Sequence, residues 1–177
     1  MIALLSDQTH LEAGEKLLEY LKQNNHEVEF ISAEDMNVNP CFSCGGCTYR
    51  TYGKCVHRDD GDIILPKLVQ SDVLLIVTAV KWGSYSFKTK RILDKCAVIG
   101  DRHYYLKNRE LVKGGIGKIK SFLAVGVKET WGNKEKDAFV NLVEENIRIM
   151  NVKGRAFTLD KELNSDCLEA IRLEVPK

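Results

Sequence analysis

Five consecutive apolar residues, Val73-Leu74-Leu75-Ile76-Val77, bounded by Ser71-Asp72 and Thr78, constrain this chain more than any other stretch. A short run of aliphatic and β-branched residues reads as a strand. Because successive side chains of a strand point to opposite faces, a run without alternation must be buried on both. Such strands sit inside a parallel sheet covered by helices on either side.

The rest of the chain repeats the theme. Ile2 to Leu5 is a second all-apolar run, and Leu11, Leu17, Leu18 and Leu21 then recur at helical spacing from about Glu12 to Asn24. Val28, Phe30 and Ile31 mark the next strand, so the chain opens with a β-α-β unit, which requires a right-handed crossover. Asp59-Asp60 is placed to cap a helix carrying Ile63, Ile64, Leu68 and Val69, with Pro66 near its first turn or kinking it. Beyond Val77 come a helix with Phe87, Ile92, Leu93 and Cys96, and a strand at Phe122 to Val127. A long amphipathic helix over about Lys134–Met150, a strand at Val152 to Thr158 and a closing helix at Leu163 to Leu173 complete the series. Five strands alternating with helices predict an α/β fold: a three-layer, doubly wound, flavodoxin-like sandwich on a five-stranded parallel sheet of order 2-1-3-4-5. Gly100 to Lys120 fits no element. Its Gly114-Gly115-Ile116-Gly117-Lys118 run lacks the residues of a phosphate-binding loop, since position 112 is Val and Lys118 precedes Ile119, and it reads as a flexible connection.

A chain of 177 residues fits one domain, 1–177, interrupted by a cysteine-loop insertion at about 38–58. With 26 basic and 25 acidic residues it has no net field to recruit nucleic acid or an anionic membrane. It shows neither a spanning apolar run nor a leader pattern, so a cytoplasmic location is expected. In that reducing compartment clustered cysteines point to metal or redox chemistry rather than disulfides.

Four of the six cysteines fall between Cys41 and Cys55, the first three spaced C-x2-C-x2-C as Cys41, Cys44 and Cys47. Zinc sites usually take two such pairs from distant segments, whereas three thiolates two residues apart open the bacterial signature of a cubane iron–sulfur cluster. Cys55 supplies a fourth thiolate, with Cys96 or His57 as substitutes. Residue spacing alone leaves three readings open: a cluster, zinc, or four reduced thiols binding nothing. Cys96 and Cys167 stand alone at helical positions and read as core residues.

In an open parallel sheet, ligands bind beyond the carboxyl ends of the strands where the strand order reverses. That rim consists of Ser6 to Gly14, Thr78 to Tyr85 and Gly126 to Gly132, and the cysteine loop is expected to leave the second strand on the same edge. Both tryptophans, Trp82 and Trp131, fall in these loops, where large rings serve a flat aromatic ligand. No general acid, base or nucleophile is evident, and the catalytic residues are unknown.

Cys41-x2-Cys44-x2-Cys47-x7-Cys55-Val56-x2-Asp59-Asp60, followed by Val73 to Val77 and by Trp82-Gly83-Ser84 with Lys90 and Asp94, resembles the iron–sulfur flavoproteins, a branch of the NADPH-dependent FMN reductases. The resemblance implies FMN bound by Ser6, Gln8 and Thr9 of the first loop, Thr78, Val80, Lys81, Trp82, Gly83 and Ser84 of the second, and Gly126 and Trp131 of the third. It implies a four-iron, four-sulfur (4Fe-4S) cluster on Cys41, Cys44, Cys47 and Cys55. It further implies electron transfer with NAD(P)H or a ferredoxin-like protein as redox partner, and a homodimer or tetramer. The first loop departs from the family's glycine-, serine- and arginine-rich phosphate cradle: it has no arginine, and Asp7 and Glu12 are expected to face the anion. On that reading, replacing Asp7 by Gly or Arg would tighten FMN. Two other functions fit the same residues, a non-catalytic metal-binding module that has lost flavin and an FMN or quinone reductase with empty cysteines.

Overall fold

The computed structural model describes residues 1–7, 12–100, 104–114, 117–160 and 163–176. In chain order the elements are β1 (Ile2–Ser6), α1 (Ala13–Gln23), β2 (Val28–Ser32), α2 (Gly46–Tyr49), α3 (Gly61–Gln70), β3 (Val73–Ala79) and α4 (Phe87–Lys95). They continue with α5 (Ala97–Gly100), β4 (Tyr104–Lys107), β5 (Glu110–Lys113), β6 (Ser121–Val127), α6 (Glu135–Met150), β7 (Lys153–Leu159) and α7 (Ser165–Glu174). Five strands form one parallel sheet in the order β2-β1-β3-β6-β7, which is the expected flavodoxin-like order.

The continuous apolar runs are explained by burial on both faces. On one face Ala3, Leu5, Leu74, Ile76, Phe122 and Ala124 pack with Ile64 and Leu68 of α3, Ile92 of α4 and Phe139 and Val143 of α6. On the other, Ile2, Leu4, Val73, Leu75, Val77, Leu123 and Val125 meet Leu17 and Leu21 of α1 and Ile171 of α7. Every residue of β1 and β6 is buried, so each strand contributes to both cores. A register with Leu4 beside Leu75 and Leu75 beside Leu123 keeps these faces continuous across the sheet.

Three local expectations are corrected. Pro66 lies in the second turn of α3, not the first, and its missing N–H leaves the Asp62 carbonyl without the usual intrahelical donor. Asp59 and Asp60 divide the task assigned to them. Asp59 accepts from the Gly61 N–H at 2.9 Å and the Asn39 N–H at 2.8 Å, while Asp60 turns to the Asn37 N–H at 2.7 Å, so the pair staples the chain leaving β2 to the start of α3. Within Gly100–Lys120, β4 and β5 form an antiparallel hairpin closed by Asn108 and Arg109, both at positive φ as a two-residue hairpin turn requires.

A carboxylate on α7 joins the two helices of the second face. Glu169 accepts from Tyr20 Oη at 2.7 Å and from Arg172 Nε at 2.7 Å, and these hydrogen bonds, led by the one from Arg172, bring its pKa down to about 2 from 4.5. A depressed carboxyl stabilises the fold above its unfolded value and loses that contribution as pH falls through the folded value. The Glu169→Gln variant should therefore show a flatter decline of urea midpoint between pH 4.5 and 2 than the parent, with a small amplitude because the pair is exposed.

Candidate functional site

Strand order reverses between β1 and β3, so the crevice lies beyond Ser6 and Ala79, beside the end of β6. The first loop meets helix α1 there at close range. A Cβ added to Gly14 would lie 2.2 Å from Ser6 Oγ, so only glycine lets the start of the helix sit on the strand end. No side chain of the cap residue Glu12 bonds the first turn, leaving its amides without intrahelical acceptors, the arrangement that favours an anion. Gln8 and Thr9, with His10 and Leu11, lie outside the described residues.

Asp7 does not face the anion, contrary to the sequence expectation. It is 5% exposed, and its carboxylate accepts from the Ala79 N–H at 2.8 Å, the Thr78 hydroxyl at 2.7 Å, the Thr89 hydroxyl at 2.8 Å and the Ser86 hydroxyl. Ser86 in turn caps α4 by accepting from the Thr89 N–H. The first loop is thus bolted to β3 and to the start of α4 through one carboxylate. Glu12, the other acidic residue, lies 3.5 Å from Lys16 Nζ.

The second loop turns on Trp82-Gly83. Lys81 and Ser84 exchange backbone hydrogen bonds of 3.0 Å, and both central residues have positive φ, as a type I′ turn requires. For Trp82 that conformation costs about 1 kcal/mol. Its ring is 92% exposed and stands clear of the core. Gly83 is buried, and a Cβ there would come within 2.6 Å of Ala138 Cβ on α6. Val80 and Thr78 are buried, the latter bonded to Asp7, and Gly126 admits Val80 and Phe139 where any Cβ would collide with them.

The third loop is tied to the second by Glu135. That carboxylate takes Lys128 Nζ at 2.5 Å on both oxygens, the Gly132 N–H at 2.9 Å and a backbone bond from Trp82, and the Lys128 hydrogen bond leads in lowering its pKa. Trp131 is half-buried: it leans on Phe139 at 6.4 Å between ring centroids and donates from Nε1 to the Leu159 carbonyl. Of the two rim tryptophans only Trp82 presents a free face.

The four loop cysteines gather around one cavity of about 260 Å³, bordered by Cys41, Cys44, Cys47 and Cys55 together with His57 and, from the end of α4 and the start of α5, Lys95 and Val98. All four thiols are free. Positive φ at Ser43 and Gly45 bends the loop so that Cys47 enters the short helix α2 behind it. Among the described residues no three Cys, His, Asp or Glu side chains converge on a point where a single metal ion would sit. The four cysteines border a shared cavity. Cys96 lies outside this group, in the apolar layer between α3 and α6, where burial pushes its thiol up to about 12.

Among the described residues the thiol cavity shares no bordering residue with the rim loops. Helix α4 connects them: its cap Ser86 bonds Asp7, and its last residue, Lys95, lies nine positions on, a rise of about 13 Å. Under Lys95 lies a buried ion pair that the sequence reading missed. Lys95 and Asp59 side chains are 2% and 3% exposed, and Lys95 Nζ also donates to the His57 carbonyl at 3.2 Å. Burial alone would raise the Asp59 carboxyl, but hydrogen bonds from Lys95 and from the Asn39 and Gly61 amides hold it below the ordinary range. The available signal was spacing, since Lys95 follows Ile92 by three positions on the apolar stripe of its helix.

Sheet order, helix placement and rim together define a flavodoxin-like α/β protein. The family model for NADPH-dependent FMN reductase matches residues 7–161, and the chain belongs to that family of oxidoreductases. Among curated proteins, it is 29% identical over 117 residues to an iron-sulfur flavoprotein of Methanocaldococcus jannaschii, covering 66% of this chain and 54% of the relative. It is 26% identical over 118 residues to an iron-sulfur flavoprotein of Methanosarcina thermophila, covering 67% and 56%. The chain thus spans about half the length of the curated relatives it matches. Among solved structures, an NADH:FMN oxidoreductase in its apo form superposes with a TM-score of 0.61 at 13% identity, covering 99% of this chain and 89% of the other. An FMN-dependent NADH-azoreductase of Bacillus anthracis in complex with FMN gives a TM-score of 0.61 at 13% identity, covering 98% and 94%. These two likenesses show the fold. Among the described residues no helix is long and apolar enough to cross a membrane.

Proposed function

We propose that this protein is a flavin-dependent electron-transfer oxidoreductase, with FMN on the strand rim and a 4Fe-4S cluster held by Cys41, Cys44, Cys47 and Cys55. The observation that carries the reading is that all four loop cysteines border one cavity. A single tetrahedral ion needs its ligands to converge on a point, whereas each thiolate of a cubane binds a different iron, so the sulfurs must enclose a space. The donor set is all soft thiolate, which suits iron–sulfur chemistry.

At the rim, the uncapped first turn of α1 above Ser6 offers amides to a phosphate, and the Trp82-Gly83 turn presents an exposed ring to a planar group. Thr78, Val80 and Gly126 hold that crevice open from beneath, and Lys81 and Ser84 close the turn that carries Trp82. Flavin and cluster would supply the hydride and one-electron chemistry, and the protein their orientation and the polarity around them. NAD(P)H or a ferredoxin-like protein as redox partner, a homodimer or tetramer, and a cytoplasmic location belong to the same proposal.

Protein purified without oxygen should show a structured flavin band superposed on broad cluster absorption, with about four iron and four acid-labile sulfide per chain. Flavin without iron would leave a plain FMN or quinone reductase. Zinc in a colourless protein would leave a metal-binding module and end the redox proposal.

A further inference from the structure

We infer that Lys95 is a buried positive group built into the wall of the thiol cavity, making that cavity a receptor for anionic guests and raising the reduction potential of a cluster bound there. The second half rests on the cluster reading above; the first does not.

Lys95 belongs to the border of the cavity, and its counter-ion does not. Lys95 borders the space, whereas Asp59 lies outside its border and is bound from behind by the Asn39 and Gly61 amides. An ammonium has three donors, of which Asp59 and the His57 carbonyl take two. Lys95 is therefore the member of the pair on the cavity side. Gly61 makes room for it, since a Cβ there would lie 3.2 Å from Lys95 Cδ and 2.9 Å from Asp59 Oδ1.

Stability is a poor reason for such a pair. Removing two charges from water costs about what their attraction returns, and replacing both by apolar groups of similar size is often neutral. A fixed dipole at a site of changing charge has a clearer use, because low exposure keeps it from being screened by salt. Arg50 and Lys54 add positive charge on the loop, where positions 36–58 contain no acidic residue, but these side chains are exposed, and Arg58 is paired with Asp62. Their field fades at high ionic strength, and that of Lys95 persists.

Two measurements test this on Lys95→Met/Asp59→Asn, which removes the pair without stranding a buried charge, and on Lys95→Arg, which keeps it. The first uses apoprotein in a Cys167→Ser background at high salt. It takes the ratio of thiol reaction rates toward a dianionic aromatic disulfide, dithiobis(nitrobenzoate), and a neutral one, 4,4′-dithiodipyridine, so that intrinsic thiol reactivity cancels. The ratio should fall at least about threefold in the double variant and hold in Lys95→Arg. The second is a mediated dithionite titration of the reconstituted cluster followed by EPR. Its one-electron midpoint should move to more negative values in the double variant only. An unchanged ratio overturns the anion-receptor assignment, and an unchanged midpoint overturns the tuning role. A fallen ratio in a protein that takes up no iron and sulfide supports the receptor and defeats the cluster proposal instead.

Discussion

Replacing Asp7 by Ala is expected to cost about 3–5 kcal/mol of stability, lowering the urea midpoint by roughly 2 M. The magnitude follows from what the carboxylate holds. Among the described residues four donors converge on it, from Thr78, Ala79, Ser86 and Thr89, and Thr78 and Thr89 are themselves fully buried. Alanine would leave the Ala79 amide and the Thr89 hydroxyl without this acceptor and Thr78 with only the Ala79 carbonyl at 3.3 Å, and each buried orphan costs about 1–3 kcal/mol. Asp7→Asn should fall between, because one amide oxygen still accepts from Ala79 while the rotatable hydroxyls can reverse to accept from the new NH2. Asp7→Arg should be worse than Ala, since it drives a cation among donors. FMN titration of the same variants should show weakened binding, opposite to the tightening that the sequence alone leads one to expect. A stability within about 0.5 kcal/mol of the parent would remove the carboxylate from this role.

That reversal shows where sequence reading ends. The sheet was legible because its signal is local: an uninterrupted apolar run such as Val73–Val77 has few outcomes, and the buried pattern of β1, β3 and β6 follows from it. The direction of Asp7 is not local. Its partners lie 71 to 82 residues away, and a carboxylate in a rim loop looks the same on paper whether it faces a ligand or turns inward. Lys95 was hidden likewise, because its partner Asp59 lies 36 residues away. The hairpin of β4 and β5 escaped for a different reason. Its strands are short and mostly exposed, so no apolar alternation marks them, and Asn108 was the one turn signal in the run. The cysteine spacing was legible as chemistry, and the structure adds what spacing cannot express: the four cysteines border a common space at the far end of α4 from the Asp7 anchor.

Cys44→Ser is the sharpest test of that common space, because at this position ligation and folding separate. Cys44 is exposed, in a bend set by positive φ at Ser43 and Gly45, so its sulfur contributes nothing to either core. Serine preserves the side-chain shape and exchanges a soft thiolate for a hard hydroxyl that iron–sulfur clusters hold poorly. Iron and sulfide content should drop to background and broad cluster absorption disappear, while the unfolding free energy in urea stays within about 0.5 kcal/mol of the parent and the flavin band persists. Cys96→Ser should behave in the opposite way. Its thiol is buried in the apolar layer between α3 and α6, so a hydroxyl there should cost about 1–2 kcal/mol and leave iron and sulfide at parental levels. The crossed pattern, metal lost without stability at one cysteine and stability lost without metal at the other, distinguishes a cluster ligand from a core thiol. Full iron and sulfide in Cys44→Ser would show that the cavity's border is not its ligand set.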